Sequence, residues 1–185
     1  MSNTSPPVVL VFAGTDPTGG AGLTADVLAL ASLGCHGSGV VTAVTAQDTT
    51  GIKQFICVET ELVIAQARAV LEDMPVAAFK IGMLGSSAVA AAVSSIVEDY
   101  PDIPLIVGPV QSSGRGDALA DDMLDGALRS LIIPQATLIT PNSLEARALA
   151  TGGDTLDAVS AHSLQIVGDV IVAALPAIEA RLLKN

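Results

Sequence analysis

Short apolar runs, each ending at glycine or a polar cluster and each followed by a stretch of helical period, constrain this chain more than any other feature. The first run, Val8–Ala13, is rich in β-branched residues and meets Gly14 at once, as a buried parallel strand should. After the loop Gly14–Gly22, Leu23, Val27, Leu30 and Ala31 recur at helical spacing up to Gly34. The alternation then continues. It predicts strands at Gly39–Thr45, Ala78–Leu84, Leu105–Val110 and Thr137–Thr140, a short extended piece at Gln54–Val58, and helices at Glu61–Leu71, Ser87–Val97 and Asp121–Leu131. Strands and helices in this order imply an α/β fold with a doubly wound, mostly parallel sheet and helices on both faces. Beyond Asn142 the pattern loosens into a helix from Ser143 to about Ala150 and another from near Thr155. The last stretch, Val167–Leu183, reads either as a strand at Val170–Val172 or as a helix face (Ile171, Leu175, Ile178, Leu182) interrupted by Pro176.

Composition bears on size, core and partners. At 185 residues and 50% hydrophobic, the chain suits one domain spanning residues 1–185. With 2% aromatics and no Trp, its core must be built from Ala, Val, Leu and Ile, which fits helices packed on a parallel sheet. A net charge of −11 opposes binding to nucleic acid or anionic lipid. It leaves phosphorylated small ligands open, because backbone N–H groups at helix starts can hold phosphate without many cations. Two cysteines, Cys35 and Cys57, are too few for a disulfide framework, and no apolar run is long enough to span a bilayer, so a cytoplasmic protein is expected.

Four segments could carry chemistry. Gly14–Gly22 joins a strand to a helix where open α/β sheets bind ligands, although its spacing is neither a Walker loop nor a dinucleotide fingerprint, and a tight turn explains it equally well. Thr42–Thr49 puts polar groups after an apolar run. There Gln47 offers both a donor and an acceptor to a heterocycle edge, and a solvated turn is the alternative. Lys80–Gly85 supplies Met83 and close-approach glycines for one wall of a flat pocket, unless Met83 is simply core. In Thr140–Glu145, Asn142 and Glu145 stand three apart at a helix start. They could share a magnesium ion through water, or serve only as a helix cap. Asp16 and Asp26 read as solvated charges, and His36 and His162 lack the company a metal site needs.

Taken together and in order, Ala13–Gly22 with Asp26, Thr42–Gln47, Val70–Pro75, Lys80–Gly85 and Thr140–Glu145 resemble the hydroxymethylpyrimidine/phosphomethylpyrimidine kinases of thiamin biosynthesis, over Val8 to roughly Leu156. The resemblance implies a ribokinase-like fold, a homodimer, and transfer of the ATP γ-phosphoryl to a hydroxymethyl oxygen and then to the resulting monophosphate. It also implies that Gly14, Ala21, Asp26, Val44, Gln47, Met83 and Val110 surround the aminopyrimidine, and that Asn142 and Glu145 organise Mg2+ beside the nucleotide, with Glu145 the metal ligand. Two departures accompany it. Gly108-Pro109-Val110 stands where the family carries Asp-Pro-Val. The family's Gly-x-Gly-Cys anion-hole loop has no counterpart either, since Gly168 is the only glycine after Gly153 and no cysteine follows Cys57. The expectation is therefore a chain without that C-terminal segment and with its catalytic residue unassigned. The alternatives are a non-catalytic pyrimidine-binding or interaction protein that has lost the kinase site, and a pyridoxal-type kinase.

Overall fold

A computed structural model of the chain describes residues 5–110, 123–142 and 145–146. Strand β1, Val8–Ala13, forms where the sequence places it and is the spine of the molecule, with every residue but Val9 buried. It pairs in parallel with β2 (His36–Val41) on one side and β5 (Val76–Ile81) on the other. Parallel strands β6 (Leu105–Val107) and β7 (Leu138–Ile139) extend the sheet, giving the order β2-β1-β5-β6-β7. All five strands point their carboxyl ends the same way, and the connections after β1, β5 and β6 meet at that edge.

Helices lie on both faces. Alternation along β1 and β5 sends Leu10, Phe12, Phe79 and Ile81 to one face. There they join Val63 and Ala67 of α2 (Thr60–Asp73), Val89, Val93, Ile96 and Val97 of α3 (Ser87–Glu98), and Leu124 of α4 (Leu124–Ala127) in a continuous apolar core. Helix α4 runs on as a π turn, Leu128–Ile132, and a 3-10 turn, Ile133–Gln135. The opposite face carries α1 (Gly22–Ser32) alone among the described residues, and α1 has no fully buried residue. Its seat is made by glycines of β2: a Cβ on Gly39 would lie 2.7 Å from Leu23, and one on Gly37 3.2 Å from Val27 and Leu30. These are the residues that helical spacing nominates as the inward face of α1.

Several expectations need correction. The single strand expected over Gly39–Thr45 is two strands in different sheets, β2 ending at Val41 and β3 running Ala43–Asp48. The break is Thr42, whose hydroxyl donates to the Met83 carbonyl and whose N–H bonds Ala13, so the chain leaves the main sheet there. Strand β3 then pairs antiparallel with β4 (Gly51–Cys57), which begins before the extended piece expected at Gln54. The two-residue turn between them is closed by the Asp48 carboxylate, which accepts the Thr50 N–H at 2.8 Å. The strand expected at Leu105–Val110 stops at Val107, because Pro109 has no N–H for the ladder and the Val110 N–H turns back to the Gly108 carbonyl at 2.8 Å. Cys57 is exposed at the end of β4, and Cys35 is half-buried. Of the later expectations, Glu145 and Ala146 are helical. The helix from Thr155 and the stretch Val167–Leu183 lie outside the described residues. No helix among the described residues is long and apolar enough to cross a membrane.

Candidate functional site

The loop after β1 is shaped by its own backbone. The Gly14 carbonyl accepts the Leu23 N–H at 2.9 Å, which draws the start of α1 back over the end of β1, and the Thr15 N–H bonds the Ala43 carbonyl at 2.9 Å. Gly22, at φ +59°, makes the closure: a Cβ there would sit 2.4 Å from the Gly14 oxygen. Asp16, read from sequence as a solvated charge, is instead buried and organises the loop. Its carboxylate accepts the Thr18 N–H at 2.8 Å, the Thr18 hydroxyl at 2.9 Å and the Ala21 N–H at 2.9 Å. Burial pushes its pKa up, but the bonds from Thr18 and Ala21 outweigh this and hold it below the ordinary carboxylate value. An aspartate two residues ahead of a threonine in a glycine-rich turn is the available sequence signal, since that spacing closes a local side-chain turn.

A cavity of about 490 Å³ opens at this edge, within the size range of small-molecule sites. Gly14 and Ala21 line it from the loop, Gln47 from β3, Met83 from the segment after β5, and Val110 from the segment after β6. Four connections of the fold thus bring together residues that lie far apart in sequence. Met83 is nearly buried and shares a small apolar cluster with Ala43, against which Val110 packs. A Cβ on Gly14 would lie 3.1 Å from the Met83 sulfur, so the glycine makes room for the thioether. The result is a flat apolar wall facing the polar loop and hairpin.

Asp26 and Val44 do not line this cavity. Asp26, on α1, forms an ion pair with Lys80 of β5, and it is Lys80 that reaches the cavity. Val44 points the other way. Strand side chains alternate, so Ala43, Thr45 and Gln47 share one face while Val44 and Ala46 share the other, and Val44 is 46% exposed beside Ala46 and Ile56 in a separate shallow depression. Val44 and Gln47 therefore face different depressions of the surface. Lys80, Asp16, Thr15, Thr45 and the turn Asp48–Gly51 add to the lining; most lie in the segments singled out from sequence, but none was nominated individually as a binding residue.

Asn142 and Glu145 follow β7 and form a reciprocal cap. The Asn142 Oδ1 accepts the Glu145 N–H at 3.0 Å, and the Glu145 Oε2 accepts the Asn142 N–H at 2.8 Å. Glu145 is buried. Among the described residues no group of three or more His, Cys, Asp or Glu side chains forms a metal cluster. The cap nonetheless keeps a single carboxylate beside an amide, a donor set that suits magnesium held through water and phosphate rather than caged by protein. Gly108 lies between Ile81 and Thr140, and a Cβ there would meet nothing closer than 3.7 Å.

A parallel sheet with its pocket on the glycine-rich edge defines the class as a ribokinase-like vitamin kinase fold. Two solved structures carry it. A phosphomethylpyrimidine kinase from Clostridium difficile 630 superposes with a TM-score of 0.75 at 33% identity, covering 86% of this chain and 71% of that one. A pyridoxal kinase from Staphylococcus aureus, solved with pyridoxal, gives 0.77 at 24% identity, covering 90% and 62%, a likeness of fold alone. Residues 16–175 match the family model described as phosphomethylpyrimidine kinase, and the chain belongs to that family. A hydroxymethylpyrimidine/phosphomethylpyrimidine kinase of Mycobacterium bovis is 40% identical over 173 residues, which are 93% of this chain and 62% of that protein. The chain thus spans less than two thirds of the length of this relative.

Proposed function

We propose that this chain carries the pyrimidine-binding half of an ATP-dependent hydroxymethylpyrimidine/phosphomethylpyrimidine kinase of thiamin biosynthesis. The observation that carries the reading is the convergence of Gly14, Ala21, Gln47, Met83 and Val110 on one cavity. The family membership and the named relatives support the same substrate class. In this reading the Met83 and Val110 wall stacks on the ring face, Gly14 and Ala21 let the ring approach the loop backbone, and Gln47 pairs with its polar edge. Asp26 contributes by holding Lys80 at the cavity rim rather than by touching the ring.

The donor would be Mg-ATP. Glu145 and Asn142 would hold the metal through water, where it would neutralise charge between the nucleotide phosphates and the acceptor hydroxymethyl oxygen. Because Gly108 supplies no carboxylate, Glu145 is the only acidic side chain assigned to that task. The catalytic base is assigned to no described residue. A cytoplasmic homodimer is the working form implied by the family, and sedimentation of the purified chain tests the dimer.

The same Gly108 favours a second reading, a pyrimidine-binding protein without phosphoryl transfer. Calorimetric titration of the full chain with 4-amino-5-hydroxymethyl-2-methylpyrimidine, followed by Mg-ATP, tests both. Saturable pyrimidine binding followed by turnover supports the kinase, binding without turnover supports the second reading, and a folded chain that binds no pyrimidine overturns both. Weaker binding of pyridoxal than of the pyrimidine is expected, and the reverse order would move the assignment to the pyridoxal kinases.

A further inference from the structure

Lys80 is the one cationic side chain among the described residues that line the cavity, where the acidic side chains are Asp16 and Asp48. Phe79 and Ile81 of β5 point into the main core, so Lys80 points to the opposite face of the sheet, where it pairs with Asp26 of α1. The Lys80 side chain is 28% exposed and that of Asp26 24%. Burying such a pair contributes little net stability, because lost hydration offsets the attraction, so stability alone does not account for a cation at this place. Two features aim the pair. Lys80 reaches the cavity and Asp26 does not, so the positive end faces a ligand. A Cβ on Gly82, two residues along the same face, would lie 3.1 Å from the Lys80 Nζ, so the glycine leaves the ammonium its room at the strand end. Gly82 lines the cavity at the same spot. Among the described residues Asp26 is the only polar partner of the ammonium, which has three N–H donors and so keeps two for a ligand.

We propose that Lys80 is a specificity-determining residue that holds the phosphate of the monophosphate acceptor, and that the site therefore binds the phosphorylated pyrimidine more tightly than the free hydroxymethyl compound. This rests on the pyrimidine kinase reading above. A hydroxymethyl group is neutral and offers the ammonium one oxygen. A phosphate monoester carries about two negative charges near neutral pH and three acceptor oxygens, and hydrogen bonds between ionised groups are roughly twice as strong as those between neutral ones. Without Lys80 the same anion would meet only carboxylates among the charged side chains that line the described cavity. A lysine suits this task because its charge is compact and its stem flexible, so it can follow a phosphate that turns about the methylene joining it to the ring. Asp26 touches no ligand and acts by keeping the ammonium at the rim.

The test titrates the full chain, without ATP, with 4-amino-5-hydroxymethyl-2-methylpyrimidine and with its monophosphate. Lys80→Met alone would leave the Asp26 carboxylate unpaired, and its repulsion would weaken phosphate binding whatever Lys80 does. The informative variant is therefore Lys80→Met combined with Asp26→Asn, which removes both charges and leaves the net charge unchanged. Asp26→Asn alone keeps the ammonium and is the control. The wild-type chain is expected to prefer the monophosphate by about tenfold or more, the worth of a hydrogen bond to a charged group. The double variant is expected to lose that preference, and Asp26→Asn to keep or enlarge it. The readout is the ratio of the two affinities, since a loosened contact between α1 and the sheet weakens both ligands together. A preference that persists in the double variant, or one already lost in Asp26→Asn, overturns the assignment of Lys80. If the double variant binds neither ligand, the ratio in Asp26→Asn decides. A wild-type chain that binds both pyrimidines equally well overturns this inference and leaves the pyrimidine reading standing, whereas one that binds neither overturns both.

Discussion

At the scale of single residues, the site depends on where the backbone must come close to itself. Gly22 has both a left-handed φ and a neighbouring carbonyl at 2.4 Å from any added Cβ, so Gly22→Ala must open the loop that frames the cavity. The left-handed region costs a side chain about 1–2 kcal/mol before the clash is counted. A loss of at least about 2 kcal/mol is expected in a urea unfolding curve, together with weaker pyrimidine binding. Gly108 is the opposite case. Its backbone is not left-handed and a Cβ meets only ordinary contacts, so neither the backbone nor the space at Cβ excludes a side chain there. Gly108→Asp should therefore fold with a stability change within about 0.5 kcal/mol. If this position belongs to the nucleotide site, the variant should bind Mg-ATP more tightly than the wild-type chain, and an unchanged affinity would remove residue 108 from that site.

At the scale of elements, the two faces of the sheet differ in how firmly they are covered. Helix α3 buries six residues and is capped by Ser86, whose hydroxyl accepts the Val89 N–H at 3.3 Å. Helix α1 buries none and leaves Leu28 largely exposed. Opening free energies follow buried contact, so amide hydrogen exchange should be slower throughout α3 than in α1. Equal protection would mean that α1 is covered by something beyond the described residues. Ser86→Ala should cost about 1 kcal/mol, the usual worth of a helix N-cap. The hairpin of β3 and β4 shows how the period of an element assigns residues. Its twofold alternation aims Thr45 and Gln47 at the cavity and Val44 away from it, a separation that a list of motif residues does not convey.

At the scale of the whole molecule, net charge and buried charge act in different ways. The net charge of −11 governs association with other charged bodies more than the fold. Asp16 is buried and couples folding to pH. Its folded pKa lies below the ordinary value, so it stabilises the native state fully above about pH 5, where an unfolded aspartate is almost wholly ionised, and loses that contribution as the pH falls through the unfolded and then the folded value. Stability should rise with pH across that acidic window. Asp48, held far below its usual range chiefly by Lys53, adds a slope of the same sign. Melting temperatures measured from pH 2.5 to 6 should therefore rise less steeply for Asp16→Asn than for the wild-type chain, and parallel curves would show that Asp16 is not coupled to folding.

Much of the architecture was legible in one dimension, because hydrophobic period and punctuation are local. Val8–Ala13 ending at Gly14, the face Leu23, Val27 and Leu30, and the helix Ser87–Val97 can each be read without knowing their neighbours, and each has its place in the structure. Five of the seven residues nominated from the resemblance line one cavity, since they sit near strand ends that a parallel sheet gathers along one edge. The remaining features required the third dimension. Thr42 ends a strand because Met83, forty-one residues later, accepts its hydroxyl. Asp26 serves through Lys80, fifty-four residues away. Asp16 looked like one more surface charge until the closure of Gly14 on Leu23 buried it among donors. Local patterns determine which segments become strands and helices; which polar groups find partners is decided only when distant segments meet, because a hydrogen bond depends on distance and direction that sequence spacing does not encode.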